Sequence, residues 1–387
     1  MTGDSALTSH AAGPGERFST RVAFFIAGLC MSAWAPLVPL AKARAQLGDG
    51  TLGLMLLGLG AGSIVAMPLA GHLCSLRGCR FVTVLGALLV CLTLPGLATF
   101  SQPWLLGLAI VAFGAAMGLL DCAMNVQAVI VDKASERPLM SGFHGLFSVG
   151  GIAGAAGMTA LLSLGLAALP AVLCVIALTL LLLWRAAPHL LPYGSEREGP
   201  PFAVPRGAVL FLGLLCFIVF LTEGAMLDWS GLFLIGERGM EPSWAGLGYA
   251  AFAATMTLGR LTGDAIVARL GGVQVVLFGG LLAAAGLTLS LLLPGWPAAL
   301  VGYALVGAGC SNVVPVLFTA VGQQTSMPQR TAVPALISLG YAGILLGPAL
   351  IGFAAHLVGL SWALAALVLL MAFVAASARF LRALTGR

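Results

Sequence analysis

Three carboxylates interrupt long apolar runs. Asp121 stands in Gly114-Ala-Ala-Met-Gly118-Leu-Leu-Asp121-Cys-Ala-Met-Asn125-Val-Gln127, and Glu223 and Asp228 stand in Phe220-Leu-Thr-Glu223-Gly-Ala-Met-Leu-Asp228-Trp229. An ionised carboxylate without a partner in a low-dielectric setting is costly, so an acid held there is suited to reversible protonation. Helical spacing places Gly114, Gly118, Asp121 and Asn125 on one face, a small-residue seam that ends in an acid and an amide. Three roles are open to Asp121: proton coupling, a hydrogen bond to a bound solute, or a structural bond between helices. Glu223 competes with it as the proton carrier, and His144 joins them because an unperturbed imidazole titrates near neutrality; a hydrogen-bonded packing role is the plainer alternative for that histidine. Asn125, Gln127 and Asn312 offer neutral donors and acceptors to hydroxyls. Trp34 and Trp229 offer indole faces for stacking, or else bulk packing or an interfacial belt. Asp228 lies nearer a surface, as a gating residue or a solvated interfacial acid.

Other chemistries find no support. No nucleophile–base pair is evident, and no glycine-rich phosphate loop precedes a soluble βα unit, so neither an enzyme nor ATP is implied. The eight cysteines fall mostly in apolar runs, where they behave as small hydrophobes. Cys74 and Cys79 share a short turn, yet no nearby Cys or His completes a zinc pattern. No metal and no cofactor are expected.

The elements that must position these residues follow from composition. Of 387 residues 60% are apolar and 8% charged, too oily a mixture to cover a soluble surface. A hydrocarbon core roughly 30 Å thick requires about 20 apolar residues per helix, and such spans fall at 21–41, 52–73, 81–100, 104–131, 140–162, 166–186, 207–235, 244–267, 273–292, 296–322, 332–354 and 358–378. The expected fold class is an all-α membrane protein of twelve transmembrane helices. Residues 1–16 read as a disordered cytoplasmic tail, 17–187 as an N-terminal six-helix half, 188–206 as a central cytoplasmic loop and 207–387 as a C-terminal six-helix half. The net charge of +5 is spread over short turns, which excludes nucleic acid as a partner. With the N-terminus inside, fifteen Lys and Arg fall on the inner side and only Lys42, Arg44 and Arg238 on the outer. That asymmetry places both termini in the cytoplasm.

The halves repeat each other. A shift of 195 residues carries Trp34 onto Trp229 and Gly53 onto Gly248; 192 carries Gly71 onto Gly263 and Arg77 onto Arg269; 191 carries Gly118 onto Gly309 and Asp121 onto Asn312; 193 carries Gly150 onto Gly343 and Gly154 onto Gly347. Two such pseudo-symmetric halves are a transporter architecture.

At this point the chain resembles the major facilitator superfamily over residues 17 to 385. The likeness is carried by the turn Gly71-His-Leu-Cys-Ser-Leu-Arg77-Gly78-Cys-Arg80 and its partner Gly259-Arg260-Leu-Thr-Gly263-Asp264-Ala-Ile-Val-Ala-Arg269-Leu-Gly271. In the superfamily the turn reads roughly Gly-x-Leu-x-Asp-Arg-x-Gly-Arg-Arg, and its charges latch the halves in the outward-facing state. The resemblance therefore implies a latch of Gly71, Arg77, Arg80, Arg260, Asp264 and Arg269. Ser75 stands where the first copy should carry its acid, and Arg77 and Arg80 can also be topology signals alone. Asp121-Cys-Ala-Met-Asn125 and the segment Ser141-Gly142-Phe143-His144-Gly145 resemble the fucose–proton symporter branch. The first helix, Cys30-Met-Ser-Ala-Trp34-Ala-Pro36-Leu-Val-Pro39, lacks that branch's acid, so fucose itself is not implied.

Together these features imply a proton-coupled secondary active transporter in the bacterial inner membrane, working by alternating access. Its partners would be protons, the lipid bilayer and a small uncharged, sugar-like solute, because no Lys or Arg is expected in the middle of any span. It would act as a monomer, driven by the proton gradient. Proton-driven efflux of cationic or amphipathic drugs is the alternative within transport, and a non-transporting membrane sensor or scaffold is the alternative outside it. Gly347-Pro348 faintly resembles the Gly-Pro signature of drug–proton antiporters, but that signature belongs in the fifth helix, which favours import.

Overall fold

The computed structural model describes residues 13–47, 49–194, 204–241, 244 and 246–385. Their regular structure is helical, with no strand among the described residues. The first crossing is α1 (Pro14–Ala33), a 3-10 turn (Ala35–Leu37) and α2 (Val38–Arg44). Pro36 and Pro39 cause the break, since each lacks an N–H and crowds the preceding turn. The helix begins at Pro14, seven residues before the expected span start at Arg21 and inside the expected tail, with proline in its first turn and Glu16 facing the positive helix end. The expected tail otherwise falls on residues outside those described, as does the middle of the central loop at 195–203.

Next, α3 (Asp49–Thr99) is one helical segment that crosses twice, because Gly78 adopts φ 84° and ψ 161°. A side chain there would be strained. It would also meet the carbonyl of Pro192. The chain after the sixth crossing lies across this turn, accepting hydrogen bonds from Cys79 N (3.1 Å to Tyr193 O) and Arg80 N (2.8 Å to Leu191 O).

Single crossings follow in α4 (Pro103–Lys133), α5 (Met140–Ser163), α6 (Ala168–Ala186), α7 (Gly207–Arg238), α8 (Leu247–Leu270) and α9 (Gly272–Leu292). The tenth is split into α10 (Trp296–Cys310) and α11 (Val313–Gln323), and α12 (Gln329–Val358) and α13 (Leu360–Thr385) complete the set. Among the described residues ten stretches are long and apolar enough to span a bilayer. One of them, Leu54–Thr99, does so twice, and α8, diluted by Arg260, Asp264 and Arg269, brings the crossings to twelve.

The internal repeat is a repeat of contacts. A Cβ on Gly150 would strike the Phe25 carbonyl, and one on Gly154 the Leu29 carbonyl, so α5 lies hard against α1. The second half does the same 192 to 193 residues later: Gly343 faces the Phe217 carbonyl and Gly347 faces Leu221, setting α12 on α7. Likewise Gly114 meets Leu59 where Gly307 meets Phe252. Close backbone approach of this kind is how helices associate in lipid, where no hydrophobic force drives them together. The fold is therefore two six-helix halves related by pseudo-symmetry.

With twelve crossings both termini lie at one end of the bundle. Contacts between the halves gather at that end: Gly71 against Arg330 and Pro334, Gly263 against Ser141, and Gly322 against Val129. Gly60 against Leu345 marks their reach toward mid-span.

Candidate functional site

Asp121 lies in α4, eighteen residues after Pro103 and twelve before Lys133. It is 6% exposed. Cys216 of α7 and Tyr341 of α12 lie within electrostatic reach of it, so it faces the opposite half. Among the described residues no hydrogen bond or ion pair reaches its carboxylate; only its backbone carbonyl is engaged, by Asn125 Nδ2 at 2.9 Å. Asn125 is buried and its Oδ1 has no partner. An acid and an amide oxygen without partners thus sit one turn apart at the seam between the halves.

The second centre was only half visible in the sequence. Arg260 is in mid-helix, thirteen residues after Leu247 and ten before Leu270, which corrects the expectation that no cation lies mid-span. The loop-like charge pattern around Gly259 to Gly271 hid its depth, because α8 runs on through the turn motif. Its Nη2 donates to Glu223 of α7, 3.2 Å from Oε1 and 3.4 Å from Oε2, with side-chain exposures of 9% for Arg260 and 14% for Glu223. Its Nη1 donates to Ser148 Oγ of α5 at 3.2 Å, in the other half. Its Nε points to the Ser311 carbonyl at 3.4 Å. That carbonyl is free for a local reason: Pro315, four residues on, has no N–H to return to it. The same proline splits α10 from α11. Arg260 is therefore bound from α5, α7 and the α10–α11 break at once.

Around this pair, His144 sits between the rings of Phe24 (5.2 Å) and Phe318 (5.4 Å), one from each half, with its Nε2 buried and unpartnered. Asn312 donates to the Gly259 carbonyl (2.9 Å) and to Ser311 Oγ (3.0 Å), fixing the helix break to α8. Its Oδ1 packs on Gly263 without a partner. The indole nitrogens of Trp34 and Trp229 are also buried without partners, and Trp229 rests on Gly352 of α12. Asp228 is exposed, five residues beyond Glu223.

Gln127 does not belong to the site. Its Nε2 donates to Thr20 Oγ1 at 2.9 Å and its Oε1 accepts from Leu191 N at 3.0 Å, so both ends of the amide are spent tying α4 to α1 and to the chain after α6. This corrects its assignment to the solute.

The latch residues divide. Asp264 accepts a hydrogen bond from Gly142 N (2.9 Å) in the first turn of α5, across the halves, where a carboxylate meets the positive helix end. Gly71 packs on the start of α12 at the equivalent place. Arg80 instead donates to the carbonyls of Leu190 (2.9 Å) and Pro188 (2.6 Å), within its own half. Arg77 stacks over Phe81 at 5.4 Å, and Arg269 is exposed in the last turn of α8. Sequence reasoning passed over Asp132, at the end of α4, which accepts from Leu139 N (2.8 Å) and, across the halves, from Thr319 Oγ1 (2.8 Å). Its place one residue before Lys133 made it look like an ordinary loop charge.

Two six-helix halves that meet at one end, with acids and an arginine buried at mid-span between them, define a membrane transporter. The sequence model of the Major Facilitator Superfamily matches residues 22–272, and the chain belongs to that superfamily, a family of transporters and not of enzymes. It is 55% identical over 368 residues to an uncharacterised MFS-type transporter of Yersinia pestis, covering 95% of this chain and 96% of that one. It is 32% identical over 379 residues to the membrane protein MosC of Rhizobium meliloti, covering 95% and 91%. Its fold is similar to that of the E. coli fucose:proton symporter FucP, with a TM-score of 0.75 and 18% identity over 94% of this chain and 98% of that one.

Proposed function

We propose that this multi-pass membrane protein is a proton-coupled secondary active transporter that moves a small polar solute across the bacterial inner membrane by alternating access. The observation that carries this is Asp121: a carboxylate 6% exposed, mid-span, turned to the opposite half and without a partner among the described residues. Such an acid is costly to keep ionised and is tolerated where protonation is part of the cycle. Both termini are assigned to the cytoplasm by the lysine and arginine asymmetry, so the seam between the halves is closed on the cytoplasmic side and the protein faces outward. The proton gradient is the energy source, no cofactor enters, and one chain contains the whole site.

An uncharged, sugar-like solute was favoured by the absence of a mid-span cation. Arg260 removes that premise, and the solute's charge is taken up below. The neutral polar atoms at Asn125 and Asn312 still suit hydroxyl groups. Efflux of cationic drugs is the second reading, favoured by three span acids, Asp121, Glu223 and Asp228, against one mid-span cation. A susceptibility panel in a host stripped of its own pumps separates the two: protection by the expressed protein supports efflux. In proteoliposomes with an entrapped pH dye, a panel of sugars, polyols and sugar acids should yield a solute that drives proton movement, and Asp121→Asn should lower the number of protons moved per solute. A sensor or scaffold would move none of them.

A further inference from the structure

A guanidinium at mid-span needs compensation on every side, and an arginine–carboxylate pair there adds little to stability that apolar packing could not supply. The pair in this protein is also poorly made. One nitrogen, Nη2, serves both oxygens of Glu223 at 3.2 and 3.4 Å, longer than the roughly 2.7–2.9 Å of a well-formed charge-assisted bond and without the two-nitrogen fork that arginine offers a carboxylate. The remaining donors face neutral acceptors, Ser148 Oγ at 3.2 Å and the Ser311 carbonyl at 3.4 Å. Glu223 therefore occupies Arg260 loosely. A carboxylate arriving with its own two oxygens in the fork would bind the guanidinium better than Glu223 does.

We propose that Arg260 is the recognition residue for a carboxylate-bearing solute, and that Glu223 is the acid this solute displaces, taking up one proton as it leaves the arginine. The proposal rests on the transport reading above and names its substrate class. The charge balance is simple. Before binding, the pair is neutral: one guanidinium, one carboxylate. After binding, the guanidinium is paired with the solute's carboxylate, and Glu223 has no other mid-span cation among the described residues. It accepts a proton from the outer solution, on a carboxylate oxygen, and the centre is neutral again. This proton neutralises the binding centre and adds to the one carried by Asp121, so a monoanion would enter with two protons and one net positive charge.

The surroundings of Glu223 fit this role. From α8 it meets Arg260 and Tyr249; from α10, Cys310; from α5, His144 lies beyond Arg260; on α7 itself are Cys216 and Asp228. From α12 comes Tyr341, which Asp121 reaches. The sequence of α11 has no titratable group, and α13 has only Arg379 and Arg382 near its end. Tyr249 and Asp228 are exposed and lie on the side of the pair away from the closed end. Asp228 would repel an anion there, but an exposed charge is screened by salt. Because Arg260 Nη1 is bonded to Ser148 of the opposite half, a carboxylate that takes both Nη1 and Nη2 also removes a bond between the halves, which links solute binding to their movement.

The test uses full-length purified protein and matched pairs of ligands that differ only in charge: lactate with lactamide, benzoate with benzamide, galacturonate with galactose. Thermal unfolding is followed across a range of pH, and proton uptake is followed in weakly buffered solution. At least one carboxylate should raise the unfolding midpoint while its neutral partner does not. Its affinity should strengthen by up to about tenfold per pH unit of acidification, the limit set by one proton per ligand. In Glu223→Gln the carboxylate should still bind, with no proton uptake and no such pH dependence; in Arg260→Lys it should bind more weakly. Stabilisation by no carboxylate of the series, equal stabilisation by neutral partners, or an unchanged pH dependence in Glu223→Gln would each overturn the proposal. Should Arg260→Lys fold poorly, the Glu223→Gln result decides alone. Carboxylate binding without any flux would sink the transport reading and leave this one standing; proton-coupled flux of neutral solutes alone would do the reverse.

Discussion

Gln127 and Asn125 show how much depends on the angle at which a side chain leaves its helix. Two residues along an α-helix is a turn of about 200°, so the two amides point to opposite sides of α4. Asn125 stays near Asp121 at the seam, whereas Gln127 is driven into α1 and bonds Thr20 and Leu191. The helical period made this legible; chemical similarity of the amides obscured it. Gln127→Leu should leave the buried Leu191 N–H without its acceptor, at about 1–3 kcal/mol, while the Thr20 hydroxyl keeps its bond to the Glu16 carbonyl (2.7 Å). The expected result is a lower unfolding midpoint in detergent with an unchanged order of preference among solutes. A changed order would return Gln127 to the binding site. Asp121 was legible as an isolated acid, and so was Glu223. Their difference was not, because it depends on Arg260 reaching Glu223 from another helix and finding no equivalent route to Asp121.

At the scale of elements, the spans were readable because lipid leaves a chain no choice but long apolar helices with satisfied backbones. The breaks inside them were marked by proline and still merged into uninterrupted spans at 21–41 and 296–322. In the tenth crossing the consequence is functional: Pro315 frees the Ser311 carbonyl, and Arg260 takes it. Pro315→Ala should let the helix close over this point and withdraw that acceptor. Folding should be preserved or improved, since the proline's disruption is relieved, while transport falls; full transport with the helix closed would show that the break is incidental. The glycine contacts make a sharper demand. Gly150→Leu and Gly343→Leu should each force α5 from α1, or α12 from α7, because the space beside them is filled by the Phe25 and Phe217 carbonyls. The yield of folded protein should collapse for both to a similar degree, and tolerance of either by size-exclusion chromatography would contradict the pseudo-symmetric packing.

For the whole molecule, the start of α5 is held by two carboxylates, Asp132 from its own half and Asp264 from the other, and Asp132 in turn holds Thr319 across the seam. The first copy of the motif keeps its glycine contact at Gly71 and has Ser75 in place of the acid, so charge acts mainly through the second copy. Asp264→Asn removes a charge from a helix N-terminus, worth about 1 kcal/mol, or roughly fivefold in the ratio of closed to open seam. Hydrogen exchange of the amides at 139–145 should quicken by about that factor; unchanged exchange would mean the contact does not hold the seam. None of these cross-half bonds could be read from local sequence, since each joins residues more than a hundred positions apart or depends on which way a helix end faces.

Asp121 is the proposed carrier of the coupling proton. Wild-type protein and Asp121→Asn are reconstituted side by side, and uptake of the best solute is measured with and without an imposed pH gradient, together with exchange of that solute at equilibrium. The gradient should accelerate uptake in the wild type and accelerate it markedly less in Asp121→Asn while equilibrium exchange persists, because the halves still move and only the proton on Glu223 remains to couple. Gradient-driven uptake that survives in Asp121→Asn at the wild-type rate would contradict the account.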